Sequence, residues 1–245
     1  MEEHNILLTE PPDMTRIGKE RMAEILFEQF NVPAICIESA GVLALYSQGI
    51  RTGIVVDCGN RTKLTPIADG YPLPHAILQS AFGGLDVDQA VREMFGKVHG
   101  AKYNGDEFKA DAQRFKESHG YVSMDPVADY SKKRREFKHR MHQGTHLRFA
   151  ECDVRLLTET LFSAPLPNAC KGLPAAINWC VSKCESVLRK DLLGSVILCG
   201  GSTCFDGFPE RLEYELSTLL SNRAGMPSLS ETSPLVRTVA PPNRK

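Results

Sequence analysis

No apolar run in this sequence approaches the roughly 20 residues needed to span a membrane. Charge of one sign is not in excess either. The 29 lysines and arginines stand against 30 aspartates and glutamates, so no bulk field draws the whole chain toward nucleic acid or an anionic surface. Repeats and low-complexity tracts are missing. The first residues, MEEHNILLTEPP, have neither the basic stretch nor the long apolar stretch of a secretory signal. There are eight cysteines, at 36, 58, 152, 170, 180, 184, 199 and 204, but no C-x-x-C pair. Cys180 and Cys184 share one helix face among apolar neighbours, which favours free buried thiols over a zinc site. These features place the protein in a reducing compartment, the cytosol or nucleus.

What is present alternates between strand and helix. Residues 6–9 predict a short strand, 15–30 a helix with Met22, Ile25, Leu26 and Phe30 on one face, and 34–37 a second strand. A helix through Val42, Leu43 and Leu45 follows, closed by Gly49. Residues 53–69 predict a hairpin. Val87, Ala90, Val91, Met94, Phe95 and Val98 repeat at the helical period from about Asp86, and a more polar helix covers 105–118. Residues 123–166 predict short strands and loops around the basic run SKKRREFKHR. From Leu173 a helix carries Ile177, Cys180, Val181, Cys184 and Leu188 along one side, with Pro174 in its first turn. An apolar strand, SVILCGG, leads to a glycine-containing loop and a helix with Leu212, Leu216, Leu219 and Leu220. Residues 225–233 predict a loop and 236–240 a final strand. Such alternation argues for an α/β architecture.

Two strands end in features suited to a nucleotide. Val55-Val56-Asp57-Cys58-Gly59 brings a carboxylate and a glycine to the end of one. Leu198-Cys199-Gly200-Gly201-Ser202-Thr203 brings paired glycines, which let backbone approach a ligand, and two hydroxyls to the other. Ligands of open α/β sheets bind beyond the carboxyl ends of strands, where both motifs sit. A simple turn explains either motif taken alone.

Taken together, ILLTEPP, MAEILFEQFNVPA, VLALYSQG, TGIVVDCG, PIADGYPLPHAIL, FKESHGYVSMD, SKCESVLRKDLLGSVILCGGST and VAPPNRK resemble, in order and spacing, actin and the actin-related proteins. FNVPA and GSTCFDGF look most like the centractin type. The resemblance implies an actin-like ATPase fold: two lobes on ribonuclease-H-like sheets, with ATP or ADP and Mg2+ in the cleft between them. It also implies a division of the chain. Residues 1–47 correspond to a remnant of the first lobe, 48–82 and 168–245 to the inner subdomain of the second, and 83–167 to its outer subdomain. On this comparison the sequence looks shortened at both ends.

The resemblance implies site residues too. Asp57 matches an aspartate that acts on the cation through water, with Gly59 in the same phosphate loop. Lys116 and Glu117 match the pair beside the adenosine, and Lys245 a lysine near the adenine. Gly200, Gly201, Ser202 and Thr203 match the adenosine-binding turn, with Phe205 where a tyrosine is usual. Other positions depart from the family. The glutamine that orients attacking water aligns with Ala40, beside Glu38 and Ser39. The histidine of the second phosphate loop has no counterpart, since Lys63 or Leu64 lies there. Gly59-Asn60-Arg61 stands where Gly-Asp-Gly is usual. His75 matches a family histidine with a structural role.

These readings converge on an actin-related cytoskeletal structural or interaction protein with a degenerate nucleotide site and little or no ATP hydrolysis. Its expected partners are actin or actin-related proteins, and neither a membrane nor nucleic acid. Two alternatives remain: a nucleotide-dependent ATPase completed by a longer isoform or a partner chain, and a nuclear actin-related subunit of a chromatin complex. The second alternative rests on the basic run from Lys132 to Arg140, with His139, His142 and His146 nearby. A lobe edge lacking its usual strands would expose apolar surface, and the expected border of that gap is Ile35, Ile37 and the Val42–Leu45 helix.

Overall fold

A computed structural model describes residues 3–10, 14–103, 105–124, 136–163, 172–222 and 236–242. Strand β1 (Ile6–Glu10) is followed by helix α1 (Arg16–Glu24), whose first turn is capped by the Thr15 hydroxyl accepting from Gly18 N at 3.2 Å. One π-helical turn, Ile25–Gln29, extends that helix, and Asn31 in the left-handed region (φ 47°) breaks it ahead of Pro33. Strand β2 (Ile35–Ser39) then pairs with β1 in parallel, and helix α2 (Ala40–Tyr46) continues from it.

The main sheet begins with β3 (Gly53–Cys58) and β4 (Thr62–Ala68), an antiparallel hairpin. Two-residue strands β5 (Tyr71–Pro72) and β6 (Leu78–Gln79) both pair with β4. Next come α3 (Gly84–His99) and α4 (Lys109–His119), the hairpin β7 (Glu136–Arg140) and β8 (His146–Ala150), and then α5 (Glu151–Ser163). Helices α6 (Gly172–Lys183) and α7 (Ser186–Gly194), strand β9 (Val196–Cys199), helix α8 (Phe208–Asn222) and strand β10 (Thr238–Val239) complete the order. The sheet runs β10-β9-β3-β4-β5, with β9 parallel to both β3 and β10.

Side-chain alternation gives this sheet two buried faces. Ile54, Val56, Cys58, Val196 and Leu198 join the larger core, with residues of α3, α4, α5, α6, α7 and α8. Val55 and Ile197 turn the other way, where they pack with Ile67 against Val42 and Leu45 of α2. Of the expected exposed border, Ile35, Ile37 and Leu43 are half-buried, while Val42 and Leu45 are fully buried. Each of the latter two contributes about 1.5–3 kcal/mol by leaving water, so α2 is held to the sheet. Exposed large hydrophobics in the same N-terminal part are Leu7, Ile17, Phe27, Phe30 and Tyr46 at the end of α2.

Two other expectations need correction. Residues 123–166 contain a 13-residue helix, α5, and not only strands and loops. Its buried face includes Arg155 and Thr158 among Val154, Leu157, Leu161 and Phe162, and these polar members break up the apolar stripe. Thr158 Oγ1 is satisfied by donating to the Tyr121 carbonyl at 2.8 Å. The helix expected to run from Leu173 through Leu188 is two, because the chain breaks at Cys184-Glu185. Arg189 closes the break by donating to the Cys184 and Ser182 carbonyls at 3.1 and 2.9 Å.

Candidate functional site in the cleft beside the sheet

Because β3 and β9 are parallel and adjacent, Asp57 lies in register with Cys199, and the two strand-end motifs meet. Both side chains follow Val55 and Ile197 onto the α2 face, just beyond the point where α2 begins. A cavity of about 360 Å³ opens there. Ala40, Gly41, Ala44 and Ser47 form one wall, the helical spacing that leaves Val42 and Leu45 for the sheet. Asp57, Lys63, Thr65, Cys199 and Gly200 form the other. Asp57 is open to solvent on the cavity side, yet the surrounding walls desolvate its carboxyl and hold its pKa above the ordinary value, with Lys63 pulling the other way. Cys199 and Cys58 are pushed up to about 11 by burial, so both stay thiols at neutral pH.

A second group of residues lies on the far side of the β3–β4 turn. Gly84 N donates to the Gly59 carbonyl at 2.8 Å and Leu85 N to the Asn60 carbonyl at 3.2 Å. The turn thus satisfies the first N–H groups of α3. Contact is so close that a Cβ on Gly83 would lie 2.5 Å from the Asn60 oxygen. Lys116 of α4 reaches the same place, donating to the Gly84 carbonyl at 3.3 Å and pairing with Asp88 at 2.7 Å. Ser202 Oγ donates to the Gly59 carbonyl at 3.4 Å. Gly200, at φ 86°, has its missing Cβ 2.5 Å from the Cys58 carbonyl carbon, so a side chain there would collide with backbone. Thr203 closes the turn through its backbone N and Oγ1, both donating to the Gly200 carbonyl.

The predicted residues therefore divide. Asp57 and Gly200 line the cavity, while Gly59, Lys116 and Ser202 converge behind the turn. Phe205 is buried with its ring against Gly120, at the end of the helix that carries Lys116. Gly201 borders open space. Glu117 is exposed, with its carboxylate accepting from Gln113 at 3.2 Å. Lys245 lies outside the described residues. Ala40 is on the cavity wall, where it offers only a methyl group.

The sequence reading missed the Gly83-Gly84 pair and Asp88. Adjacent glycines directly before an amphipathic helix were the available signal, because they mark a close backbone approach. No group of three or more metal-ligating side chains occurs among the described residues, and Asp57 is the one carboxylate lining the cavity. No helix among them is long and apolar enough to cross a membrane.

The family model described as Actin matches residues 1–245. Curated relatives include Actin-like protein 7A of Homo sapiens, 33% identical over 230 residues that cover 90% of this chain and 51% of the relative. The Rattus norvegicus and Mus musculus proteins of that name are each 32% identical over 228 residues, covering 90% of this chain and, in the rat case, 50% of the relative. The chain spans about half the length of these relatives. None of the three bears the centractin name.

Proposed function

Since the chain belongs to the actin family, we propose that it is an actin-related structural or interaction protein of the cytoskeleton whose cleft binds nucleotide weakly and hydrolyses little or no ATP. Phosphoryl transfer needs an attacking water held in line and charge-stabilising groups aimed at the phosphates. The observation that carries the reading is the cavity wall at Ala40 and Gly41. That wall, formed by Ala40, Gly41, Ala44 and Ser47, presents no carboxylate, amide or imidazole to orient water, and its one hydroxyl, Ser47 Oγ, donates to the Ala44 carbonyl at 2.7 Å.

Three further features agree. Asp57 shares its cavity wall with Lys63, whose positive charge opposes a cation held there. The Lys116 ammonium is engaged by Asp88 and Gly84. The first N–H groups of α3, a natural anion site, are spent on the turn carbonyls. In the same reading residues 1–47 form the edge of a first lobe, 48–82 and 168–245 an inner subdomain, and 83–167 an outer one. The expected partners are actin or actin-related proteins, and the expected location is the cytoplasmic cytoskeleton.

A second reading, an ATPase completed by further chain or by a partner, draws on the retained meeting of Asp57 with Gly200. Calorimetry with ATP and Mg2+, paired with a phosphate-release assay, separates the two. Weak binding, with a dissociation constant above about 0.1 mM, and no phosphate release are expected. Micromolar affinity with steady turnover would establish the ATPase instead. Co-sedimentation with actin filaments tests the partner, and recovery only in the supernatant would count against it.

A further inference from the structure

The β7–β8 hairpin is a two-stranded sheet with two unlike faces. Phe137, His139, Leu147 and Phe149 turn inward and pack on Phe95 and Phe115, with Phe149 ring centroids 5.0 and 4.8 Å from those two. The exposed residues are Glu136, Lys138 and Arg140 on one strand and His146 and Arg148 on the other. The register sets Lys138 opposite Arg148 and Arg140 opposite His146.

The turn fixes how close those pairs come. Met141 N donates to the Thr145 carbonyl at 2.9 Å, and Gly144 at φ 82° forms the bulge. With 141–145 hydrogen-bonded, the 140–146 and 138–148 pairs fall at the non-hydrogen-bonded positions, where Cα atoms approach to about 4.5 Å and side chains crowd. The outward-pointing Arg148 carbonyl, bonded to His99 Nε2 at 2.8 Å, agrees with that assignment. Like charges set directly opposite destabilise a hairpin. The one acid on this face, Glu136, reaches Arg148 only at 3.7 Å and in solvent. Four more cations, Lys132, Lys133, Arg134 and Arg135, precede the strand in sequence. Self-repulsion on this scale is out of keeping with a chain of net charge −1.

We propose that this ladder is a docking surface for an extended acidic protein segment. Charge complementarity selects the occupant, and so does spacing. Lys138 and Arg140 are alternate residues of a strand, about 6.8 Å apart, the period at which an extended peptide presents every second carboxylate. The one aromatic residue of the basic run, Phe137, points inward, so the exposed face offers no Phe, Tyr or Trp ring for base stacking. The face carries no large apolar side chain to enter a lipid interface. The surface stands apart from the cleft, so it holds whether or not the cleft binds nucleotide.

The test uses the whole chain and a fluorescent peptide of about ten residues alternating Glu and Thr, read by anisotropy at about 50 mM salt. Binding is expected, with the double substitution Lys138→Gln and Arg148→Gln weakening it about tenfold or more and the melting temperature unchanged or raised. Absent binding, or an affinity unmoved by the double substitution, overturns the proposal. So does tighter binding of a single-stranded oligothymidine or of phosphatidylserine vesicles than of the peptide. Should the double variant unfold, Arg140→Gln carries the test. A loss of about threefold supports the surface, and an unchanged affinity refutes it.

Discussion

The molecule contains two antiparallel hairpins of similar length that serve opposite ends. In β3–β4 both faces are buried, one strand edge is taken by β9, and the turn is fixed by backbone bonds from Gly84 and Leu85. In β7–β8 one face is an aromatic core and the other is in water. Its turn is held by a side chain: Asp111 of α4, fully buried, accepts from His142 N at 3.0 Å, contacts His142 Nδ1 at 2.5 Å and pairs with Arg114. A hairpin enclosed on every side can place a functional group rigidly, as β3–β4 places Asp57 at the cavity. One enclosed on a single side leaves a surface free to vary. The contrast also predicts different responses to substitution and to acid.

The sharpest break should come at Phe149, which stacks on Phe95 and meets Phe115 edge-on beneath the second hairpin. Phe149→Ala should cost about 3–5 kcal/mol in chemical denaturation. A loss under about 1 kcal/mol would mean that this hairpin is not anchored by its aromatic face.

Next in size is Gly200→Ala, which forces a side chain into left-handed backbone and against Cys58. A loss of about 2 kcal/mol or more is expected. If it is tolerated without loss, the turn behind the first hairpin is looser than its contacts imply.

Asp111→Asn should follow at about 1–3 kcal/mol near neutral pH. Burial pushes this carboxyl up, but hydrogen bonds from His142 and Arg114 outweigh it and hold the pKa below the ordinary value. Stability from such a group is present above the unfolded pKa, about 3.9, and is lost as pH falls through the folded value. The deficit of the variant should therefore shrink below about pH 4. A deficit independent of pH would assign the effect to packing. Amide exchange in acid should loosen residues 136–150 before 53–68, because the second turn hangs on the Asp111 carboxylate whereas the first is tied directly by backbone donors from Gly84 and Leu85.

Smallest, and opposite in sign, is Asp57→Asn. Raised by desolvation, this carboxyl favours folding most when protonated, so removing its charge should raise the melting temperature by about 1–2 °C at pH 7. That gain should fade on acidification through the folded pKa. A fall in melting temperature would show that the attraction of Lys63 outweighs desolvation.

Much of this was legible in the sequence, for physical reasons that can be named. The strands 53–58 and 196–199 carry apolar runs, Ile54–Val56 and Val196–Cys199, bounded by glycine or Asp57, the pattern of strands buried on both faces. The α3 stripe repeats at the helical period, and both elements lie where the pattern put them. Helix α5 escaped because Arg155 and Thr158 occupy buried positions that only the Tyr121 backbone and neighbouring groups make tolerable. In the candidate site the meeting of Asp57 with Gly200 followed from two strand ends. The engagement of Lys116 by Asp88 did not, since it joins two helices whose docking no local pattern encodes. The burial of Val42 and Leu45 was hidden for the same reason.

The pairing of β3 with β9 links Ile54 to Val196 across more than half of the chain. A ribosome adds about 5–20 residues each second, so synthesis leaves β3 waiting on the order of ten seconds for that neighbour. During the wait its edge is a row of unmatched amide and carbonyl groups beside a greasy hairpin, a template any passing strand can join. Yield in the cell should thus depend on how well newly made chain is shielded before residue 196 emerges, more than on the stability of the finished fold.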